Sequence, residues 1–554
     1  MFREAKDEQL SLFDRAVCAS KQAKTAVEQS RAKLIGDVVY PNIDERKFSG
    51  LFSGVDSRPN IPVRQYVCAL VLKRAYGLSD EVMLELLRCG ALNFQYALHT
   101  TNDDEQPLSE SSLRRFRRRI EAYNKEHNCD LIKEEYTRIS KLMAVDMGLI
   151  GKDVDTEAGI TGGFIVRMDS MEIEAHAKAM SRIEIVYTTT AIILRYLCKK
   201  GFENIIPEAF SHYFDESDKN KLVYHRSKSD QSEGKKDARL KECVQEMCIL
   251  KSVMEESFSA PLLDAIPEYQ VFLRVFDDQT KVDQDGNIVP KDSKEILPSS
   301  VQNPFDETVT YRNKKGAHHG FVLNVAEAVD DNGNGIIIDA DIDQNIRSDA
   351  SLAEAYMERQ PDNGSRQTLI ADGAYSSDQL DKLAEKKNID IQTTALTGAE
   401  PWDIDADFVL NEEGTAIVSC PCGIEPLRSK YNPKTGLIVA TMPNCCCASC
   451  PHVNECNNFI NERKKTCRVH LTKKMVKRAK QARSFSTEEG KANARRRNGV
   501  EGIMSVLRRK YHVDQLPVFG LDRYKPWIWA TLIAYNLAKY QKYLFAQKRR
   551  FAMA

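Results

Sequence analysis

The chain contains no apolar run of the roughly eighteen residues that a membrane helix needs. Its longest apolar stretch, Trp527 to Ala534 with a continuation to Ala538, is too short to span a bilayer and reads as a buried helix. The first ten residues, MFREAKDEQL, are charged and lack the apolar core of a secretory leader, so a soluble, cytoplasmic protein without a membrane partner is expected. Net charge is nearly absent, at −1 over 554 residues, which removes any bulk electrostatic argument for a polyanionic partner and leaves only a local one. Cysteine is sparse along most of the chain, yet eight of the fifteen fall between Cys420 and Cys467. In a chain with no export signal, that clustering argues for metal ligation over disulfides.

The local charge is uneven. From Arg463 to Lys510 there are seventeen Lys or Arg against three acids (Glu488, Glu489 and Glu501), whereas the segments around Asp330 to Asp343 and Glu400 to Glu413 are acidic. A basic stretch of this density fits a polyanion. The length implies more than one domain. Residues 1–150 read as helical: Leu10, Leu12, Phe13 and Val17 form a modest stripe, two helices meet at Gly77 with Ser79 as N-cap, and PLSESSLRRFRRRIEAY follows with Ser109 or Ser111 as its cap. In that last helix Leu113, Phe116, Ile120 and Tyr123 share a face, leaving Arg114, Arg115, Arg117, Arg118 and Arg119 mostly on the other. Five arginines within six residues, after a short turn from earlier helices, suit a helix-turn-helix-like module laid against DNA phosphates.

Beyond a Gly-rich boundary, GKDVDTEAGITGG, the period changes to two in FIVRMDSMEIEAHA, a strand with Asp169 inside it or at its end. A carboxylate there needs a cation, donors or a metal. Lys178 to Phe258 reads as a charged helical insertion, and Asp277 to Asp306 as a loop. GFVLNVAEAV and IIIDADID, joined by DDNGNG, predict a hairpin. RQTLIADGAYSSDQLDKLAEKKNIDIQTTA predicts a β-α-β unit with Ser377 capping its helix and Asp372 beyond the first strand's carboxyl end, where α/β sheets bind ligands. Glu501 sits in the basic helix RRRNGVEGIMSVLRR. Read alone, each of these acids has an ordinary explanation: a strand-end Asp, a turn Asp, a solvated ion pair. Together they supply the carboxylates that hard divalent cations need for phosphoryl transfer.

The ordered set PVRQYVCALVLKRAYGLSDEVMLELL, SESSLRRFRRRI, RMDSMEIEAHA, GFVLNVAEA, IADGAYSS and RRRNGVEGIMSVLRR resembles the DDE transposases of bacterial insertion sequences. The resemblance implies an α/β, mixed α and β fold with an RNase H-like catalytic core (151–400 with a helical insertion at about 178–306, completed by a C-terminal helical part, 471–554). It further implies a helical N-terminal DNA-binding domain (1–150) and a small zinc-binding insertion (401–470). It makes Asp169, Asp372 and Glu501 the triad for catalytic Mg2+ or Mn2+. It places Arg497 and Arg508, four residues before and seven after Glu501, where the family often has an Arg and a Lys that steer DNA. Ala494 departs from the pattern, since many relatives have Tyr there. Glu172 and Glu174 are spare acids. The implied activity is cleavage of transposon ends and their joining to target DNA, with terminal inverted repeats and target duplex as partners, a homodimer on paired ends, and a nucleoid-associated location. Rival expectations are a co-opted transposase that binds DNA without cutting, and a zinc-ribbon nuclease that cuts without joining.

In the cysteine cluster, CPCG (Cys420 to Gly423) and CCCASCPHVNEC (Cys445 to Cys456) offer closely spaced thiols, and a CxxC turn can hold two ligands of a tetrahedral Zn2+. The preferred structural set is Cys420, Cys447, Cys450 and Cys456, which resembles a pattern in one branch of these transposases. Cys422, Cys445, Cys446, Cys467 and His452 are possible replacements.

Overall fold

The computed structural model of the chain describes residues 2, 19–54, 59–100, 107–151, 163–215, 231–314, 316–362, 366–375, 377–396, 398–456, 458–461 and 466–553. The stripe of Leu10, Leu12, Phe13 and Val17, most of the Gly-rich boundary after residue 151 and part of the middle of the charged insertion (216–230) lie outside the described residues. The described part is mixed α/β.

Among the helices that precede the main sheet are α1 (Val63–Tyr76), α2 (Asp80–Arg88), α3 (Glu110–His127) and α4 (Leu131–Asp146). α1 stops where Gly77 takes φ 68°, a left-handed turn that glycine adopts at no steric cost, and Ser79 caps α2 by accepting from the Val82 amide. Ser109 caps α3 by accepting from the Ser112 amide. β1 (Phe164–Glu174) follows. The insertion then contains α5 (Arg182–Lys199), α6 (Gln231–Ser257) and α7 (Pro267–Gln279), which close on their own apolar cluster around Leu194, Met247 and Phe272. The segment expected as a loop from Asp277 departs from that reading. It holds a small hairpin, β2 (Thr280–Val282) and β3 (Ile288–Pro290), because Asp283 accepts from the Asp285 and Asn287 amides and Gly286 takes φ 82°.

The chain returns to the sheet through β4 (Thr310–Asn313), β5 (Ala317–Val329) and β6 (Gly335–Gln344), crosses over α8 (Asp349–Glu358) to β7 (Gln367–Ala371), and crosses again over α9 (Asp378–Lys386) to β8 (Ile389–Thr393). β5 pairs antiparallel with β1 on one side and with β4 and β6 on the other, while β1, β7 and β8 run parallel. Short strands β9 (Val409–Leu410) and β10 (Ile417–Ser419) lead into a four-stranded sheet of β11 (Arg428–Asn432), β12 (Leu437–Pro443), β13 (Asn458–Asn461) and β14 (Thr466–Thr472). Phe408, Ile438, Val469 and Leu471 form its small core.

Three helices end the described chain: α10 (Lys473–Phe485), α11 (Glu488–Arg509) and α12 (Leu521–Met553). α1 to α4, the main sheet, α11 and α12 share one continuous apolar cluster. Trp527 and Trp529 of α12 are buried as packing residues, and the Trp529 Nε1–H donates to Asp130 at 2.7 Å. α12 also covers the outer edge of β6. Asn536 accepts from the Ile337 amide at 3.1 Å and donates to the Ile337 carbonyl at 2.8 Å, beside a register shift at which Glu327 pairs with Ile337 and Ala326 with Asp339.

Candidate active site

Asp169 lies in β1 opposite Val325 of β5, and Asp372 directly follows β7. β1 and β7 pair with Arg167 beside Ile370, so extending that register by two residues sets Asp169 beside Asp372. α11 lies against β1 and β7, burying Val500, Ile503 and Leu507. It runs in the same sense as β1: Arg496 meets Arg167, Arg497 meets Asp169, and Arg508 meets Glu172. Glu501 follows Arg497 by one helical turn.

The three acids converge on one cation. Arg497 Nη2 is 3.2 Å from Asp169 Oδ2 and 3.5 Å from Asp372 Oδ2, and its Nη1 is 3.7 Å from Glu501 Oε1. The Ser170 amide donates to Asp169 Oδ1 at 2.9 Å, and the Gly373 amide to Asp372 Oδ1 at 2.5 Å. Burial pushes the Asp169 carboxyl up from the ordinary range; Arg497 and the Ser170 amide oppose that, while Asp372 and Asp349 add to it. Glu501 is the exposed member, its side chain 67% accessible.

A fourth acid belongs to this neighbourhood and has no signal in the sequence beyond following a helix cap. Asp349, in the first turn of α8, is buried, accepts from the Ser170 hydroxyl at 2.6 Å and lies 3.7 Å from Lys314 Nζ. Tyr375 is buried behind it, donates to Asn324 at 2.8 Å, and is held well above the usual phenol range by burial and then by Asp349 and Asp169. An open groove of about 630 Å3 passes the site, lined by Asp169, Glu172, Lys314, His318, Glu501 and Arg508 among others. Of the spare acids, Glu172 has Oε1 3.2 Å from Arg312 while its buried Oε2 has no hydrogen-bond partner, and Glu174 is bound to His318 at 2.8 Å. Arg508 donates to the Glu172 carbonyl at 2.5 Å and pairs with Asp514 at 3.2 Å.

The arginines of α3 divide. Arg114, Arg115, Arg118 and Arg119 are exposed. Arg117 instead turns to Asp80 of α2, with contacts of 2.6 and 3.3 Å, and Asp80 also accepts from the buried Lys73 at 2.7 Å. In α10, Arg483 is clamped by Asp403 and Asp407, Lys477 pairs with Asp381, and Arg478 donates to the Ala399 carbonyl. Part of the basic excess of Arg463 to Lys510 thus holds the acidic segment near residue 400 in place.

Cys420, Cys422, Cys447, Cys450, Cys456 and His452 line one cavity of about 30 Å3. The Cys422 and Cys450 sulfurs are 3.4 Å apart, and those of Cys445 and Cys446 are 3.7 Å apart. Cys467 is buried in β14. Its Cys447 neighbour is a thiol pushed well up, by burial and then by Cys467 itself. Among the described residues no three His, Cys, Asp or Glu side chains are gathered closely enough to hold a metal ion as they stand. No helix is long and apolar enough to cross a membrane among those residues.

Comparison with known families adds an independent observation. A family described as "Transposase DDE domain" matches residues 419–541, a span that includes the cysteine-rich sheet, Arg497, Glu501 and Arg508. A second, "Transposase domain (DUF772)", matches residues 22–119 and includes the arginines of α3. No curated protein and no solved structure matches the chain. These two segments of the chain are thus similar to transposase domains, the later one to a DDE domain.

Proposed function

We propose that this protein cleaves the ends of a mobile DNA element and joins them to target DNA by metal-dependent phosphoryl transfer. The convergence of Asp169, Asp372 and Glu501, from a strand, a strand end and a helix, upon one guanidinium carries this reading. Three carboxylates drawn around a cation, one of them partly desolvated, are a donor set suited to Mg2+ or Mn2+. When bound, the divalent ions supply activation of the attacking hydroxyl and charge neutralisation at phosphorus. Asp169 and Asp372 orient that site from rigid strands, and Glu501 completes it from α11. Arg497 and Arg508 would take DNA phosphate oxygens along the groove, and the exposed Arg114, Arg115 and Arg118 would hold flanking duplex.

The order β6, β5, β1, β7, β8, with β5 alone antiparallel to the others, supports an RNase H-like core interrupted after β1 by the helical insertion. Residues 1–150 form the DNA-binding part, 151–400 and 471–554 the catalytic core, and 401–470 the zinc-binding insertion. Structural Zn2+ in that insertion is supported by the thiols lining one cavity, with Cys420, Cys447, Cys450 and Cys456 as the preferred set and Cys422 as rival for a place. Two chains on paired inverted repeats form the working assembly.

The test is incubation with terminal inverted-repeat DNA, target plasmid and Mg2+. The wild type is expected to cut and join. Asp169→Ala, Asp372→Ala and Glu501→Ala are expected to bind the repeats while losing about a hundredfold or more in cleavage rate. Wild-type cleavage by all three variants would overturn the assignment.

A further inference from the structure

Arg167 sits two residues before Asp169 on the same face of β1, beneath the helix that carries Glu501. Its Nε donates to Glu327 of β5 at 2.5 Å, in a pair whose carboxylate is fully buried. Its Nη1 donates to the carbonyl of Arg496 at 2.6 Å, a helical carbonyl that has a lone pair to spare. Gly499, one turn further along α11, leaves the space for this approach, since a Cβ there would collide with the Arg167 guanidinium.

The arrangement is costly for a device that only stabilises. Glu327 Oε1 is buried with no hydrogen-bond partner, and a Cβ on Gly335 would run into it. Buried ion pairs are commonly no better for stability than apolar side chains of similar volume, and an orphaned buried oxygen calls for a reason. The geometry supplies one. α11 makes polar contact with β1 at Arg167, at Asp169 and, near its far end, at the Glu172 carbonyl. Of these, the Arg167 contact is the one made by a β1 side chain other than a carboxylate, so it holds whether or not the acids are occupied.

We infer that Arg167 is a positioning residue: held by Glu327 and admitted by Gly499, it fixes the height and rotation of α11 on β1, and so the place of Glu501 and Arg497 opposite Asp169 and Asp372. The inference rests on the proposed phosphoryl-transfer site for its consequence, though not for its geometry. A displacement of α11 by about an ångström is expected to lower the chemical step by about a hundredfold.

The test uses the full chain with two changes made separately. Arg167→Met/Glu327→Met replaces both partners by apolar side chains of similar size, and Gly499→Ala presses on the guanidinium from the helix side. The double variant is expected to keep the unfolding midpoint and Gly499→Ala to lower it by the cost of overpacking; both are expected to keep the KM for inverted-repeat DNA, to lose about a hundredfold in kcat, and to exchange the α11 amide hydrogens faster than wild type. Arg167→Lys, which keeps the charge but cannot reach both partners, is expected to fall between. If the double variant and Gly499→Ala cleave as wild type does, or if α11 exchange is unchanged in both, the inference is overturned. If the wild type does not cleave but exchange in α11 still quickens in the variants, the positioning role stands and the transposition reading fails.

Discussion

Arg497 Nη2 lies 3.2 Å from Asp169 Oδ2, making the helix that carries Glu501 supply the counter-charge for the acid on β1. The same guanidinium reaches Asp372 and Glu501, and its Nε is buried with no hydrogen-bond partner. A divalent ion entering among these acids must share or displace this guanidinium.

Removing that cation therefore has a signed consequence. Arg497→Ala leaves Asp169 and Asp372 facing each other without compensation, at a cost of about 1–2 kcal/mol after allowing for solvent screening. If Mg2+ occupies the proposed site in the folded state, adding it is expected to restore the loss by mass action. Thermal unfolding with and without Mg2+ should show a larger stabilising shift in the variant than in the wild type; equal shifts would count against the shared site.

The α3 arginines should separate into two classes. Arg114→Ala, Arg115→Ala and Arg118→Ala are each expected to weaken duplex binding and to lower the slope of log affinity against log salt by about one. Arg117→Ala is expected to leave that slope alone and to loosen α2 from α3, because its partner is Asp80. Binding titrations at four salt concentrations distinguish the two behaviours.

Asp80 also predicts an acid limit. Burial pushes its carboxyl up, but Arg117 and Lys73 outweigh burial and hold it below the usual carboxylate range. A depressed folded value means that the stabilisation is present above the unfolded pKa of about 3.9 and is lost as pH falls through the folded value. Asp80→Asn should cost about 3 kcal/mol at neutral pH, since Lys73 is then buried unpaired, and should show less acid sensitivity below about pH 4. Hydrogen exchange of the α2 and α3 amides from pH 3 to 7 reads both effects locally.

For the cysteine-rich sheet, purified protein should contain about one zinc per chain. Chelation should unfold residues 409–472 while the main apolar cluster, built from other elements, holds. Cys450→Ser is expected to lower zinc content, and Cys445→Ser is not. Zinc-free protein with all eight clustered thiols freely titratable would remove the claim.

Much of the fold was legible because its signals are local. Alternation marked β1, the DDNGNG turn marked the β5–β6 hairpin, Ser79 and Ser377 cap the helices they were expected to cap, and of the two candidates for α3 the cap is Ser109, with Ser111 inside the helix. What stayed hidden depends on partners distant in sequence. Helical spacing cannot separate Arg117 from its neighbours, because Asp80, which claims it, lies 37 residues away. Asp349 opens a helix capped by Ser348, and only the fold brings it to Ser170. Arg167 was half legible: strand alternation puts it on the face of Asp169, but its anchor, Glu327, lies 160 residues further on.

The clasp of Asn536 on Ile337 sets a timetable for biosynthesis. β6 ends at Gln344 and α12 begins at Leu521, so a growing chain carries an uncovered β6 edge while residues 345–520 and then α12 itself are made. Contacts of such long sequence separation form slowly, and an exposed strand edge is a template for pairing with another chain. Overproduction should therefore favour aggregates of nascent protein, and a separate peptide spanning Leu521–Met553, added in trans, should rescue chains that lack it.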